Sequence, residues 1–160
     1  MLPSAMSVRV QLDDLSSPES QRLIAEHLSG MHSNSPAGSV HALAMESLRS
    51  ADVSFYTAWM GEALCGCGAL TALDAASGEI KSMRTRSAYL KQGVAQAVLD
   101  EIFRVAQKRR YTRLYLETGT GPAFEAAHAM YRRNDFDWCG AFGDYTATEF
   151  NVFMVKMLAD

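Results

Sequence analysis

Apolar and polar residues alternate with two different periods along this chain. Val8, Val10 and Leu12 fall on one side of an extended segment, which predicts a first strand after a loose start over residues 1–7. Ser17-Pro18-Glu19 then opens a helix, with serine at the cap, proline in the first turn and an acid beside it. Leu23, Ile24, His27, Leu28 and Met31 give that helix one apolar stripe, with His27 at its border. Residues 33–39, with Pro36 and Gly38, read as a loop, and residues 40–49 as a short helix. The runs 53–60 and 64–73 predict an antiparallel hairpin turning at Gly61-Glu62. A turn over 75–78 leads into a strand over 79–85.

Beyond residue 93 the period changes. Val94, Val98, Ile102 and Ala106 recur every fourth residue, flanked by Leu99 and Phe103, as in a helix packed on a sheet through residue 110. Residues 111–117 then read as a strand, 119–122 as a loop, and 122–133 as a helix that buries Phe124, Ala127 and Met130 or Tyr131. Residues 136–139 and 151–157 are the last strands, separated by an excursion with glycine and aspartate. This order predicts an α/β fold, a mixed sheet flanked by helices, with strands 79–85 and 111–117 as parallel neighbours joined by a right-handed crossover. No repeat or linker divides the 160 residues, so a single domain is expected.

Charge and cysteine usage narrow the function. The formal charge of −3 argues against a nucleic-acid or anionic-membrane partner, and the basic run Lys108-Arg109-Arg110 sits where cations complement a helix dipole. No apolar run reaches the roughly 20 residues that span a bilayer, and no secretory pattern stands at the N-terminus. Three cysteines, an odd number, point to a reducing cytoplasm. Cys65 and Cys67 share one face of an apolar strand with no histidine pair at ligand spacing, so they read as buried thiols and no metal is expected. Trp59 and Trp138 read as core, and His32 and His128 carry no assigned role.

The chemistry concentrates at the junction of strand 79–85 and helix 93–110. A loop that ends on Gly93, followed by a first turn without bulky residues, presents unpaired backbone N–H groups at the positive end of a helix dipole. Such a junction binds phosphate. It is neither a Walker loop nor a Gly-x-Gly-x-x-Gly dinucleotide site. Leu90-Lys91-Gln92-Gly93-Val94-Ala95 resembles the Gln/Arg-x-x-Gly-x-Gly/Ala signature of the GNAT superfamily of acetyl-CoA-dependent N-acyltransferases, with Leu90 and Lys91 as departures. The segment from Ala126 to Phe136 resembles that family's fourth-helix pattern, with Asp135 in place of a glycine. Glu79-Ile-Lys-Ser-Met, Leu116-Glu-Thr-Gly119, Cys139-Gly-x-Phe-Gly-Asp-Tyr145 and Asn151-Val-Phe-Met154 look like a subgroup of small bacterial GNAT N-acetyltransferases.

The resemblance implies a sheet of six to seven mostly antiparallel strands with about four helices, acetyl-CoA as cofactor, and a small-molecule or amino-acid-like amine as acceptor. It also allows a homodimer. Met83, Arg84 and Thr85 would run beside the pantetheine arm, and Lys91, Gln92, Gly93, Val94 and Ala95 would cradle the diphosphate, with Phe124 and Tyr131 also at the coenzyme. A bulge in strand 79–85 would aim an N–H at the thioester carbonyl, whereas a regular strand would set Glu79, Lys81, Met83 and Thr85 on one face. Tyr131, protonated at neutral pH, is the expected acid for the departing thiolate. Glu79 is the expected base, against the alternative of a surface residue or lysine partner. Glu117 competes for that role. His41, Asp144, Tyr145 and Asn151 are candidates for the acceptor pocket. A non-catalytic acyl-CoA sensor would keep the loop and discard the acid and base, so the presence of both Glu79 and Tyr131 disfavours it.

Overall fold

The computed structural model describes residues 7–32, 52–143 and 145–158. The elements are β1 (Arg9–Leu12), α1 (Pro18–His32), β2 (Val53–Met60), β3 (Ala63–Ala72), β4 (Ser77–Thr85), α2 (Val94–Lys108), β5 (Arg113–Gly119), α3 (Glu125–Arg133), β6 (Asp137–Cys139) and β7 (Asn151–Met157). Short 3-10 turns at Ser87–Tyr89 and Pro122–Phe124 precede α2 and α3. The expected loop over 33–39, the helix over 40–49, His41 and Asp144 lie outside the described residues. Strand order is β1-β2-β3-β4-β5-β7-β6. β4 and β5 are parallel, as their helical connection requires, and the β1–β2, β5–β7 and β6–β7 pairs are antiparallel.

The chain forms two compact units, Met1–Leu70 with Ser82–Ile102, and Thr71–Lys81 with Phe103–Asp160. In the first, Ser17 caps α1: its Oγ accepts from the Ser20 N–H at 3.1 Å, and Ser20 Oγ donates to Asp13 at 2.9 Å. The stripe side chains Leu23 and Ile24 are fully buried in a core with Leu15, Phe55, Trp59, Leu64, Cys67 and Ala69. Gly66 and Gly68 on β3 are where strand and helix approach closely. A Cβ on Gly66 would stand 2.6 Å from the Arg84 carbonyl and 2.8 Å from Val94 Cγ1, and one on Gly68 would stand 2.6 Å from Val98 Cγ1.

In the second unit the β4–β5 ladder runs from Ser77↔Arg113 to Ile80↔Leu116, and β5 pairs with β7 from Arg113↔Met157 to Gly119↔Asn151. Leu114, Leu116 and Met154 are buried on one face of this sheet, while Glu79, Tyr115, Glu117 and Phe153 alternate onto the other. Two of the boundaries that differ from expectation have a hydrogen-bonded cause. β4 begins at Ser77 because the turn closes earlier, with the Leu73 and Asp74 N–H groups both donating to Ser77 O and the Ala76 N–H to Asp74 Oδ1. β5 begins at Arg113 because residues 110 and 111 finish α2: Arg110 turns left-handed (φ 63) and the Tyr111 N–H donates to Ala106 O. Trp138 is 47% exposed, not core, because it lies on the three-residue edge strand β6, with the His128 ring edge-on to it at 5.1 Å.

Candidate functional site

The expected acid, base and cofactor residues divide between the two units. The first holds the candidate diphosphate loop. After Leu90, which is 55% exposed, Lys91 takes φ 62 and Gly93 φ 84, so two left-handed residues lead the chain into α2. Glycine meets that demand without steric cost, whereas lysine adopts it against a penalty of about 1–2 kcal/mol. Lys91, Gln92 and Gly93 are exposed, and a Cβ on Gly93 would meet nothing within 4 Å. The Gln92 amide donates back to Ala88 O at 3.2 Å, along the preceding 3-10 turn. Val94 is buried and Ala95 half-buried, anchoring the first turn of α2, whose leading N–H groups have no acceptor within the helix.

Upstream, β4 is irregular. Ser82 lies within the strand at φ 57, a break in the two-residue alternation of the kind that a bulge introduces. The single face expected for Glu79 and Met83 is therefore not kept: Glu79 meets Tyr145, whereas Met83 turns its thioether toward Gly68 and α2. The Ser82 carbonyl accepts from Cys67 Sγ at 3.2 Å, and the Arg86 N–H donates to Cys65 O at 2.8 Å. By alternation from Arg86, the backbone groups of Met83 and Thr85 point away from β3. Arg84 Nε is buried and has no hydrogen-bond partner. Cys65 and Cys67 are buried free thiols, and burial pushes Cys67 up to about 12.

The second unit gathers the polar candidates. Glu79, expected either as a base or as a surface residue, is only 4% exposed. It stands opposite Tyr115 in the β4–β5 ladder, and its Oε2 accepts the Tyr145 hydroxyl at 2.5 Å. Burial pushes its carboxyl above the ordinary value; the Tyr145 hydrogen bond and Lys81 oppose that shift, and Glu117 adds to it. Tyr145 is itself raised, by burial first and then by Glu79. Glu117, two residues beyond Tyr115, is exposed, and its Oε2 accepts from Asn151 Nδ2 at 2.8 Å. Asn151 Oδ1 in turn accepts the Thr148 N–H at 2.7 Å. Glu79 with Tyr145 and Glu117 with Asn151 thus form two hydrogen-bonded pairs, and the Glu117 charge bears on both Glu79 and Tyr145.

Tyr131 lies in the last turn of α3, buried at 6% exposure, with its ring edge-on to Phe136 at 5.5 Å. Burial pushes its hydroxyl upward, which keeps it protonated. Asp135, in place of a glycine, does take the left-handed turn at φ 70. Phe124 fills the space over Gly119 and stacks on His128 at 6.5 Å. Sequence reasoning passed over two residues here. His128 Nε2 lies 3.0 Å from Gly119 O and fixes the end of β5, and Phe142 packs on Tyr115, Tyr145 and Phe153. Only the tight Gly-x-Phe-Gly spacing around Phe142 hinted at an anchored loop.

Comparison with known proteins adds a direct observation: the acetyltransferase (GNAT) family pattern matches residues 18–136. The chain belongs to the GNAT acetyltransferase family. Two relatives of this GNAT chain match nearly its full length. It is 45% identical to the uncharacterized N-acetyltransferase YsnE of Bacillus subtilis, over 94% of this chain and 100% of that protein. It is 44% identical to the uncharacterized N-acetyltransferase YedL of Escherichia coli, over 94% and 95% respectively. The fold is that of a Bacillus subtilis acetyltransferase solved in complex with CoA, at a TM-score of 0.73 and 17% identity, covering 96% of this GNAT chain and 100% of the other.

Proposed function

We propose that this chain transfers the acetyl group of acetyl-CoA to the amine of a small-molecule or amino-acid-like acceptor, by direct attack of that amine. The observation that carries the reading is the buried Glu79 carboxylate, held at 2.5 Å by Tyr145 on a polar sheet face. A buried carboxylate held by a neutral hydroxyl donor suits a proton acceptor better than a structural role.

The residues present fit the coenzyme. Gly93 leaves open space at a helix N-terminus, which gives a diphosphate both room and N–H donors, and Arg84 Nε is a buried donor without an acceptor. Lys91, Gln92, Gly93, Val94 and Ala95 would hold the diphosphate, and the backbone of Met83, Arg84 and Thr85 the pantetheine arm, with Phe124 beside it. Fold neighbours solved with coenzyme A or acetyl-CoA support this assignment. Bound acetyl-CoA supplies the acyl group as an activated thioester.

In this reading Glu79 accepts the proton of the acceptor's ammonium at a carboxylate oxygen, and the raised position of that carboxyl strengthens it as a base. Glu117 and Asn151 orient the amine. As the amine nitrogen bonds to the acyl carbon and the C–S bond breaks, Tyr131 would give its hydroxyl proton to the departing thiolate and take back the proton that the nitrogen sheds. Its burial keeps it protonated until then. Three unpaired cysteines suit a reducing cytoplasm, and no helix among the described residues is long and apolar enough to cross a membrane.

The test is release of free thiol from acetyl-CoA with a panel of amines: amino acids, ethanolamine, 2-phenylethylamine and spermidine. Amine-dependent release that Glu79→Gln abolishes supports the reading. Release that no amine stimulates, or that Glu79→Gln leaves at the parent rate, refutes it.

A further inference from the structure

Tyr145 lies between β6 and β7, and three independent contacts fix it. Its N–H donates to Phe142 O at 3.1 Å, closing a turn. Its ring packs on Phe142 at 5.1 Å and on Phe153 at 5.7 Å, and Phe142 is itself seated on Tyr115 at 4.8 Å. Its hydroxyl reaches Glu79, 66 positions away in sequence, at 2.5 Å. Such a ring cannot swing without breaking the aromatic packing beneath it. A lone carboxylate on a strand would sample several rotamers, whereas this one has an oxygen tied to a fixed donor.

We infer that Tyr145 is a positioning residue for the base, orienting the Glu79 carboxylate through Oε2 and leaving Oε1 for the acceptor's amine. The inference rests on the reading of Glu79 as the base. Three groups bear on that carboxylate: Tyr145 from the β6–β7 segment, Lys81 from its own strand and Glu117 from β5. The Tyr145 hydroxyl donates to the ionised form and so favours it, as Lys81 does, while burial and Glu117 oppose it. Removing only the hydroxyl takes away one of the two groups that favour ionisation. The carboxyl must then titrate at higher pH.

The test compares the parent with Tyr145→Phe, which keeps the ring packing. Carbon-13 titration of the Glu79 carboxyl in the full chain should move upward by roughly one pH unit, as expected for loss of one hydrogen bond to a charged group. The acid limb of kcat/KM for the amine found by the panel should move with it, while the Kd for coenzyme A stays unchanged. A purely structural tyrosine would shift neither titration. An unmoved Glu79 titration overturns the inference and leaves the base reading standing if Glu79→Gln still removes the acid limb. Full turnover in Glu79→Gln overturns the base reading and this inference with it.

Discussion

Replacing Gly93 with alanine tests the candidate diphosphate loop most sharply. Gly93 sits at φ 84, where a residue with a Cβ pays about 1–2 kcal/mol of backbone strain. No further penalty arises from packing, because a Cβ there would meet nothing within 4 Å. For a domain of this size each kcal/mol corresponds to roughly 2–4 °C, so Gly93→Ala should lower the unfolding midpoint by roughly 2–8 °C and still fold. The added methyl stands in the space assigned to the diphosphate and disturbs the N–H groups meant to hold it. Coenzyme A at a hundred times its Kd should stabilise the parent by ~2.7 kcal/mol. A tenfold loss of affinity would cut that, at the same concentration, to about 1.4 kcal/mol. Thermal unfolding with and without coenzyme A reads both effects at once. An undiminished coenzyme-induced rise in Gly93→Ala would refute the assignment of this loop.

Three further outcomes follow from the same geometry. Tyr131→Phe should lose about 100-fold or more in kcat and keep its Kd for coenzyme A, as initial rates and calorimetry would show; equal losses in both would point to a packing role. The folded-state carboxyl of Glu79 is raised, so the stability linked to its neutral form is complete below the unfolded value of about 4.3 and is lost as pH rises through the raised folded value. Glu79→Gln should therefore flatten that fall, in unfolding midpoints measured from pH 4 to 8, while abolishing turnover. Gly66→Ala forces a Cβ to 2.6 Å from the Arg84 carbonyl and 2.8 Å from Val94 Cγ1, and urea unfolding should show a loss of about 1–3 kcal/mol.

Local periodicity made most elements legible. Helix α2 announces itself because Val94, Val98, Ile102 and Ala106 form one buried stripe, and every one of them is 2% exposed or less. The capped start of α1 and the hairpin turn at Gly61 rest on turn chemistry that needs no tertiary partner. What stayed hidden depends on distant contacts. Nothing near Glu79 in the chain reveals that Tyr145 would bind it, and nothing near Trp138 reveals that β6 is a three-residue edge strand. Ser82 shows a third kind of blindness. Serine carries no signal for a left-handed residue within a strand, so the break that sends Glu79 and Met83 to different neighbours is invisible to alternation.

Backbone amide shifts on titration with coenzyme A report on individual N–H groups of the diphosphate loop without any knowledge of the acceptor. The largest changes should fall on Lys91 to Ala95, with smaller ones on Met83 and Thr85. Saturation by coenzyme A with those amides unmoved would contradict the assignment of the diphosphate to this loop.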